Sequence, residues 1–145
     1  MIYNKKPKDF TPDIEVVSCV LEHNGKFVLL HRQKHKTHGD KWGLPAGKIE
    51  KTDKNMEDAI IRELFEETGV LAKEEDLIFH KTFFVSHPNQ NFLYHCFKLN
   101  LEKRPDVVIN KEEHKAFKWV TLDEASQMPI VTDGFSCIKY IYGIQ

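Results

Sequence analysis

The sequence predicts an α/β fold in which a mixed β-sheet is sandwiched by helices. Three observations predict it. Segments rich in strand-forming residues recur between residues 14 and 120, an amphipathic helix interrupts them near residue 60, and a second helix closes the chain. Strands divided by a central helix and finished by another bury their apolar faces by stacking helical layers on one sheet. At 145 residues the chain lies near the commonest domain size, so one domain spanning 1–145 is expected.

The first two strands are expected at residues 14–22 and 26–31, flanking Asn24-Gly25. An Asn-Gly pair between two strand-forming runs is a strong hairpin signal, because it supplies the positive φ angles of a tight turn. Residues 32–43 are polar and carry Arg32, Lys34, Lys36 and Lys41, so they read as a loop, and a short strand follows at 44–49. The central helix is expected over Met56–Thr68, with Asn55 as N-cap and Asp58 as capping-box partner. Its apolar face carries Ile61, Leu64 and Phe65. Two long strands at 77–86 and 92–101 surround a turn at 87–91, and shorter ones are expected at 107–109 and 116–120. A short helix at 121–127 begins with Thr121 as cap and Glu124 in the capping-box position; the last helix runs over 133–142.

Composition narrows the function classes. The net charge of −1 gives no basic field for nucleic acid in general. Cys19, Cys96 and Cys137 are odd in number, scattered and without zinc spacing, so reduced cysteines in a cytoplasmic protein are expected. Residues 1–8 hold no apolar signal region, and no apolar run reaches membrane-spanning length.

The most informative stretch is Arg62-Glu63-Leu64-Phe65-Glu66-Glu67-Thr68-Gly69-Val70. At about 100° per residue, the carboxylates of Glu63, Glu66 and Glu67 fall on one sector of a helix. Like charges three and four apart cost roughly 0.2–0.5 kcal/mol per pair in an isolated helix. A solvated acidic face is the ordinary reason for such a helix; a hard divalent cation among the oxygens is the other. The surrounding order of residues favours the second. A glycine-containing loop precedes the helix, Arg62 opens its acidic turn, and Gly69 suits a left-handed C-cap.

This order resembles the Nudix hydrolase box, G-x5-E-x7-R-E-U-x-E-E-x-G-U with U a bulky aliphatic residue. Gly47, Arg62, Glu63, Leu64, Glu66, Glu67, Gly69 and Val70 all match. The interval from Gly47 to Arg62 is one residue longer than the pattern, which reads as an insertion near Lys54–Met56 with Asp53 in place of the middle glutamate. The run Trp42-Gly43-Leu44-Pro45-Ala46 before the box, and Glu113 to Val120 after it, are similar to the flanking landmarks of the family.

The resemblance implies an α/β/α sandwich and a Mg²⁺-dependent hydrolase, with Mn²⁺ as a possible substitute. It implies that Glu63, Glu66, Glu67 and the Gly47 carbonyl hold metal, that Arg62 orients a carboxylate through Glu66 or Asp53, and that Asp53 holds the arginine. The general base is either a box glutamate such as Glu66 or a distal one; of Glu112 and Glu113, the spacing to Trp119 favours Glu113. Arg32, Lys34, Lys36 and Lys41 are candidates to contact phosphates. Phe83, Phe84, Phe92, Tyr94 and Trp119 include candidates to stack a nucleobase, though most aromatic strand residues are core. His35 and His38 lack the company of zinc ligands.

The implied substrate is a nucleoside diphosphate linked to a group X, with nucleoside triphosphates leading. A nucleotide sugar, a dinucleoside polyphosphate or an RNA 5′ end remains open as X varies. A non-catalytic nucleotide-binding module is the main alternative, and an isomerase of prenyl diphosphates ranks below it. A homodimer is compatible with the resemblance.

Overall fold

The computed structural model describes residues 1–144. One sheet of eight strands forms its centre, flanked by helices on both faces. The strands β2 (Ile14–His23) and β3 (Lys26–Arg32) meet at Asn24-Gly25, where φ is 49° and 78°. The turn residues therefore adopt the left-handed conformations that a tight hairpin demands. The hairpin pairs only at its tip, through Glu22↔Phe27 and His23↔Lys26. Beyond it the two strands take different partners.

The strand β2 pairs in parallel with β7 (Gln90–Asn100) and antiparallel with β5 (Ala46–Lys48). In contrast, β3 pairs antiparallel with β4 (Trp42–Gly43) and β8 (His114–Val120). The outer side of β7 carries β6 (Leu77–His87) and then β1 (Ile2–Tyr3). The sheet is mixed, as expected, with the parallel β2–β7 pair inside an otherwise antiparallel ladder.

Alternation along β2 divides the core. Val17, Cys19 and Leu21 face helix α1 (Met56–Thr68), packing with Ile60, Leu64, Phe97 and Trp119. Val20 faces the other side, with Phe27, Phe83, Cys96, Cys137 and Ile138 beneath helix α3 (Thr132–Ile141). The short α2 (Leu122–Ala125) leads into α3, and its Thr121/Glu124 capping box is complete. All three cysteines are free and buried, and no helix of the described residues is long and apolar enough to cross a membrane.

Several expectations need correction. Residues 107–109 form no strand: Val107 and Ile109 pack against the α1-side core, while the Val108 N–H bonds to the Thr68 carbonyl at 2.9 Å. The strand expected at 44–49 is split, because Leu44-Pro45 separates β4 from β5. The apolar face of α1 is rotated from the expected one. Ala59, Ile60, Glu63, Leu64, Glu67 and Thr68 are buried, whereas Phe65 is 54% exposed. Asn55 caps the helix as expected, but the Asp58 carboxylate accepts from Lys54 N–H, one residue before the cap. The short strand β1 was not anticipated.

Candidate active site

A cleft of about 420 Å³ opens where β2 and β3 part. Val16 comes from β2, Arg32 from β3, Gly43 from β4, Ala46 to Lys48 from β5, and Phe92 and Tyr94 from β7. The divergence creates the cleft, because each strand recruits its own short partner and leaves a gap. Helix α1 lies against β5, which brings the Glu63 carboxylate beside Gly47 and the Glu67 carboxylate to the Ala46 amide, next to the cleft.

Gly47 permits that approach. A Cβ at this position would collide with the Glu63 carboxylate, so only glycine leaves room for backbone and carboxylate together. Arg62 then ties the box into one network. Its Nε and Nη2 donate to the two oxygens of Asp53 at 3.1 and 2.9 Å, its Nη1 to Glu63 at 2.8 Å and to Glu66 at 3.3 Å, and its Nη2 also to the Lys48 carbonyl at 3.0 Å. Asp53, anchored in turn by the Glu50 N–H at 2.8 Å, is the residue that holds the arginine. A turn precedes α1, in which the Asp53 N–H bonds to the Glu50 carbonyl at 3.0 Å.

Each carboxylate has a distinct environment. Hydrogen bonds from Arg62 hold Asp53 below the usual carboxylate range. Burial raises Glu63 above it, against the opposing pull of Arg62. Burial also pushes Glu67 up to about 8, with Glu63 and Glu113 adding repulsion and the Ala46 amide, 2.8 Å from Oε1, opposing the rise. Glu66 is exposed. Among the described residues no three acidic, histidine or cysteine side chains converge at metal-binding distance. The structure brings Glu63 and Glu66 onto Arg62 and leaves Glu67 apart on the Ala46 amide.

The donor set still fits a hard divalent cation. All donors are oxygen, and the buried Glu67 has no cationic side chain bonded to it among the described residues. Its raised pKa shows that burial disfavours the charged form of Glu67, a cost that a bound cation would offset.

Glu113 reaches the same region from the segment before β8, close enough to Glu67 for their charges to repel. Lys36 pairs with it at 3.3 Å, and Gln33 N–H bonds to its backbone carbonyl at 3.0 Å, so loop 33–41 holds this segment in place. Of the basic candidates, Arg32 lines the cleft, while Lys36 is engaged with Glu113. Of the aromatic candidates, Phe92 and Tyr94 line it. Phe83 is core, Phe84 packs edge-on against Phe10, and Trp119 lies in the α1-side core beneath Arg104. The cleft also recruits Gln90, His114 and Asp133. Sequence reasoning assigned them no role, although His114 adjoins the favoured Glu113.

The whole arrangement, from the Gly47 cradle to the β8 segment, matches a known family: the profile described as NUDIX domain covers residues 12–139. The chain belongs to the Nudix hydrolase family. It is 29% identical over 119 residues to the CTP pyrophosphohydrolase of Escherichia coli K12, covering 81% of this chain and 82% of that protein. It is also 29% identical over 138 residues to Phosphatase NudJ of the same strain, covering 90% and 85% respectively. Among solved structures, the NUDIX domain of Shewanella oneidensis NrtR complexed with ADP ribose superposes with a TM-score of 0.77 at 23% identity, covering 97% of this chain and 93% of that one. The last likeness shows the Nudix fold. Together with the family match and the two hydrolase relatives, the chain is a Nudix pyrophosphohydrolase acting on nucleotide derivatives.

Proposed function

We propose that this Nudix hydrolase cleaves nucleoside triphosphates to the monophosphate and pyrophosphate, with Mg²⁺ as the working ion. The observation that carries the reading is the Gly47–Glu63–Arg62–Asp53 network, which holds backbone and carboxylates against a cleft with aromatic walls. Glu63, Glu66, Glu67 and the Gly47 carbonyl would hold the ion. When bound, it supplies neutralisation of phosphate charge and acidification of water.

The protein's own groups do the rest. The Nη1 of Arg62 donates to both Glu63 and Glu66 and so holds the two carboxylates close together, preorganising them. Glu113 accepts the proton of the attacking water, and Lys36 pairs with its carboxylate at 3.3 Å. Arg32 draws the polyphosphate into the cleft, and the Phe92 and Tyr94 side supplies an apolar wall for the nucleoside. The names of the CTP pyrophosphohydrolase and NudJ relatives support a phosphoanhydride substrate. The ADP ribose complex of the NrtR domain keeps nucleotide sugars as the second reading.

Turnover of nucleoside triphosphates, nucleotide sugars, dinucleoside polyphosphates and capped RNA with Mg²⁺, beside Glu66→Gln, tests the reading. Release of monophosphate and pyrophosphate from triphosphates, lost in the variant, supports it. Preferential cleavage of a nucleotide sugar moves the assignment to the second reading. Nucleotide binding with no turnover in either protein returns the chain to a binding module.

A further inference from the structure

The cleft contains a buried polar side chain that this mechanism leaves without a task. His114 opens β8, is 3% exposed and lines the cleft. Its Nδ1 is buried with no hydrogen-bond partner among the described residues. Strand register explains its placement. The β3–β8 ladder runs regularly from Phe27↔Val120 to His31↔Ala116, then skips Lys115 and pairs Arg32 with His114. In an uninterrupted ladder Lys115 would stand opposite Arg32, and His114 would point to the other face. The bulge sends Lys115 outward to an ion pair with Asp40 and sets the imidazole beside the guanidinium.

Both members of that pair have capacity to spare. The Arg32 Nε donates to the Thr37 carbonyl at 2.6 Å, and its guanidinium pairs with no carboxylate among the described residues. Burial, reinforced by Arg32, lowers the His114 pKa to about 4, so the ring is neutral near pH 7. A neutral imidazole carries one proton. With no acceptor near the buried Nδ1, that proton belongs on Nε2, since an orphaned buried N–H is the rarer state.

We propose that His114 is a substrate-contacting residue whose Nε2–H donates to the same phosphate group that Arg32 contacts, so that the bulged pair forms a polyphosphate subsite in the cleft. This inference rests on the hydrolase reading. A neutral donor adds a directed bond to a phosphate oxygen without placing a second cation beside Glu113.

Nitrogen-15 histidine spectra of the full chain, titrated with Mg²⁺ and the α,β-methylene analogues of ATP, GTP and CTP, test it together with two variants. The expected result is a neutral Nε2–H tautomer at His114 whose Nε2 resonance moves on saturation with an analogue. The side-chain amide of His114→Gln reaches the Nε2 position, whereas that of His114→Asn reaches only Nδ1. The glutamine variant is therefore expected to keep kcat/KM within about 3-fold, and the asparagine variant to lose roughly 10–100-fold, mainly through KM.

A static His114 resonance while the Ala46 and Gly47 amides move would overturn the subsite and leave the hydrolase standing. Equal losses in the two variants would overturn it too. An analogue that moves no resonance in the cleft would overturn both readings. The native-chain spectra decide the question even where a variant fails to fold.

Discussion

The two helices that cover the sheet treat charge in opposite ways. In α3 the one buried acid, Asp133, sits in the first turn, where the helix dipole favours it, and Lys139 sits in the last turn, where the dipole favours a cation. Its C-terminal end is fastened by the Tyr142 hydroxyl, which donates to Glu22, and by Lys98, which pairs with Glu22 at 3.3 Å. In α1 the first turn is acidic as well, but Glu66 and Glu67 follow near the C-terminal end and no basic residue answers them in the last turn. Glu63 and Glu67 are moreover buried there. A helix serving only the core has no use for that arrangement. The α3 helix matches its charges to its dipole and lends only its first turn, Asp133 and Gly134, to the cleft, whereas α1 gathers carboxylates that its packing on the sheet does not require.

Substitutions can sharpen this contrast. Glu113→Gln, which removes the proposed base and leaves both helices intact, is expected to lower kcat by about 10²–10⁴-fold in steady-state assays, with an unchanged melting temperature. On the α3 side, Ile138→Ala empties a fully buried position. Urea denaturation should show a loss of roughly 2–5 kcal/mol, with kcat of the folded protein preserved. Were activity to collapse faster than stability, α3 would hold more of the site than its packing suggests.

The pH dependence of the metal-free protein separates the helices again. Glu67 has a folded pKa of about 8 against an ordinary value of 4.5, so the folded state binds the extra proton between those values. Its contribution must make the protein less stable as pH rises from 4.5 to 8, then level off. In EDTA, the difference between wild type and Glu67→Gln should grow in the mutant's favour across that window, to a few kcal/mol in order of magnitude. His114, lowered to about 4, contributes the opposite slope between pH 4 and 6.5, and it cancels in that comparison. The smallest effect is expected from Arg62→Lys. It keeps the charge but loses the fork on Asp53, costing roughly 1–3 kcal/mol in thermal melts and about 10-fold in metal affinity.

Much of this is legible in the sequence alone. The Asn24-Gly25 hairpin, the bounds of α1 with its Asn55 cap, and the Thr121/Glu124 box follow from local chemistry that each segment carries by itself. The box residues were readable because glycine, arginine and three glutamates at fixed spacing make a long and specific pattern. What escaped depends on contacts between distant segments. Phe65 reads as core from its periodicity, yet the side of α1 turned to the sheet is the one that carries Ala59, Ile60 and Leu64, with Glu63 beside Gly47. Residues 107–109 read as a strand, but the Val108 N–H bonds to the Thr68 carbonyl at the end of α1 instead of to a strand. His114 was concealed because a one-residue bulge, which alternation cannot foresee, decides the face on which it lies.

The central claim is that the buried carboxylates of α1 exist to hold a divalent cation. Its most direct test is the melting temperature at pH 8 as Mg²⁺ is raised from zero, in wild type, Glu67→Gln and Glu63→Gln. A saturable rise in the wild type, with neither variant responding, is the result this account predicts. A flat wild-type curve, or an equal rise in all three proteins, would contradict it.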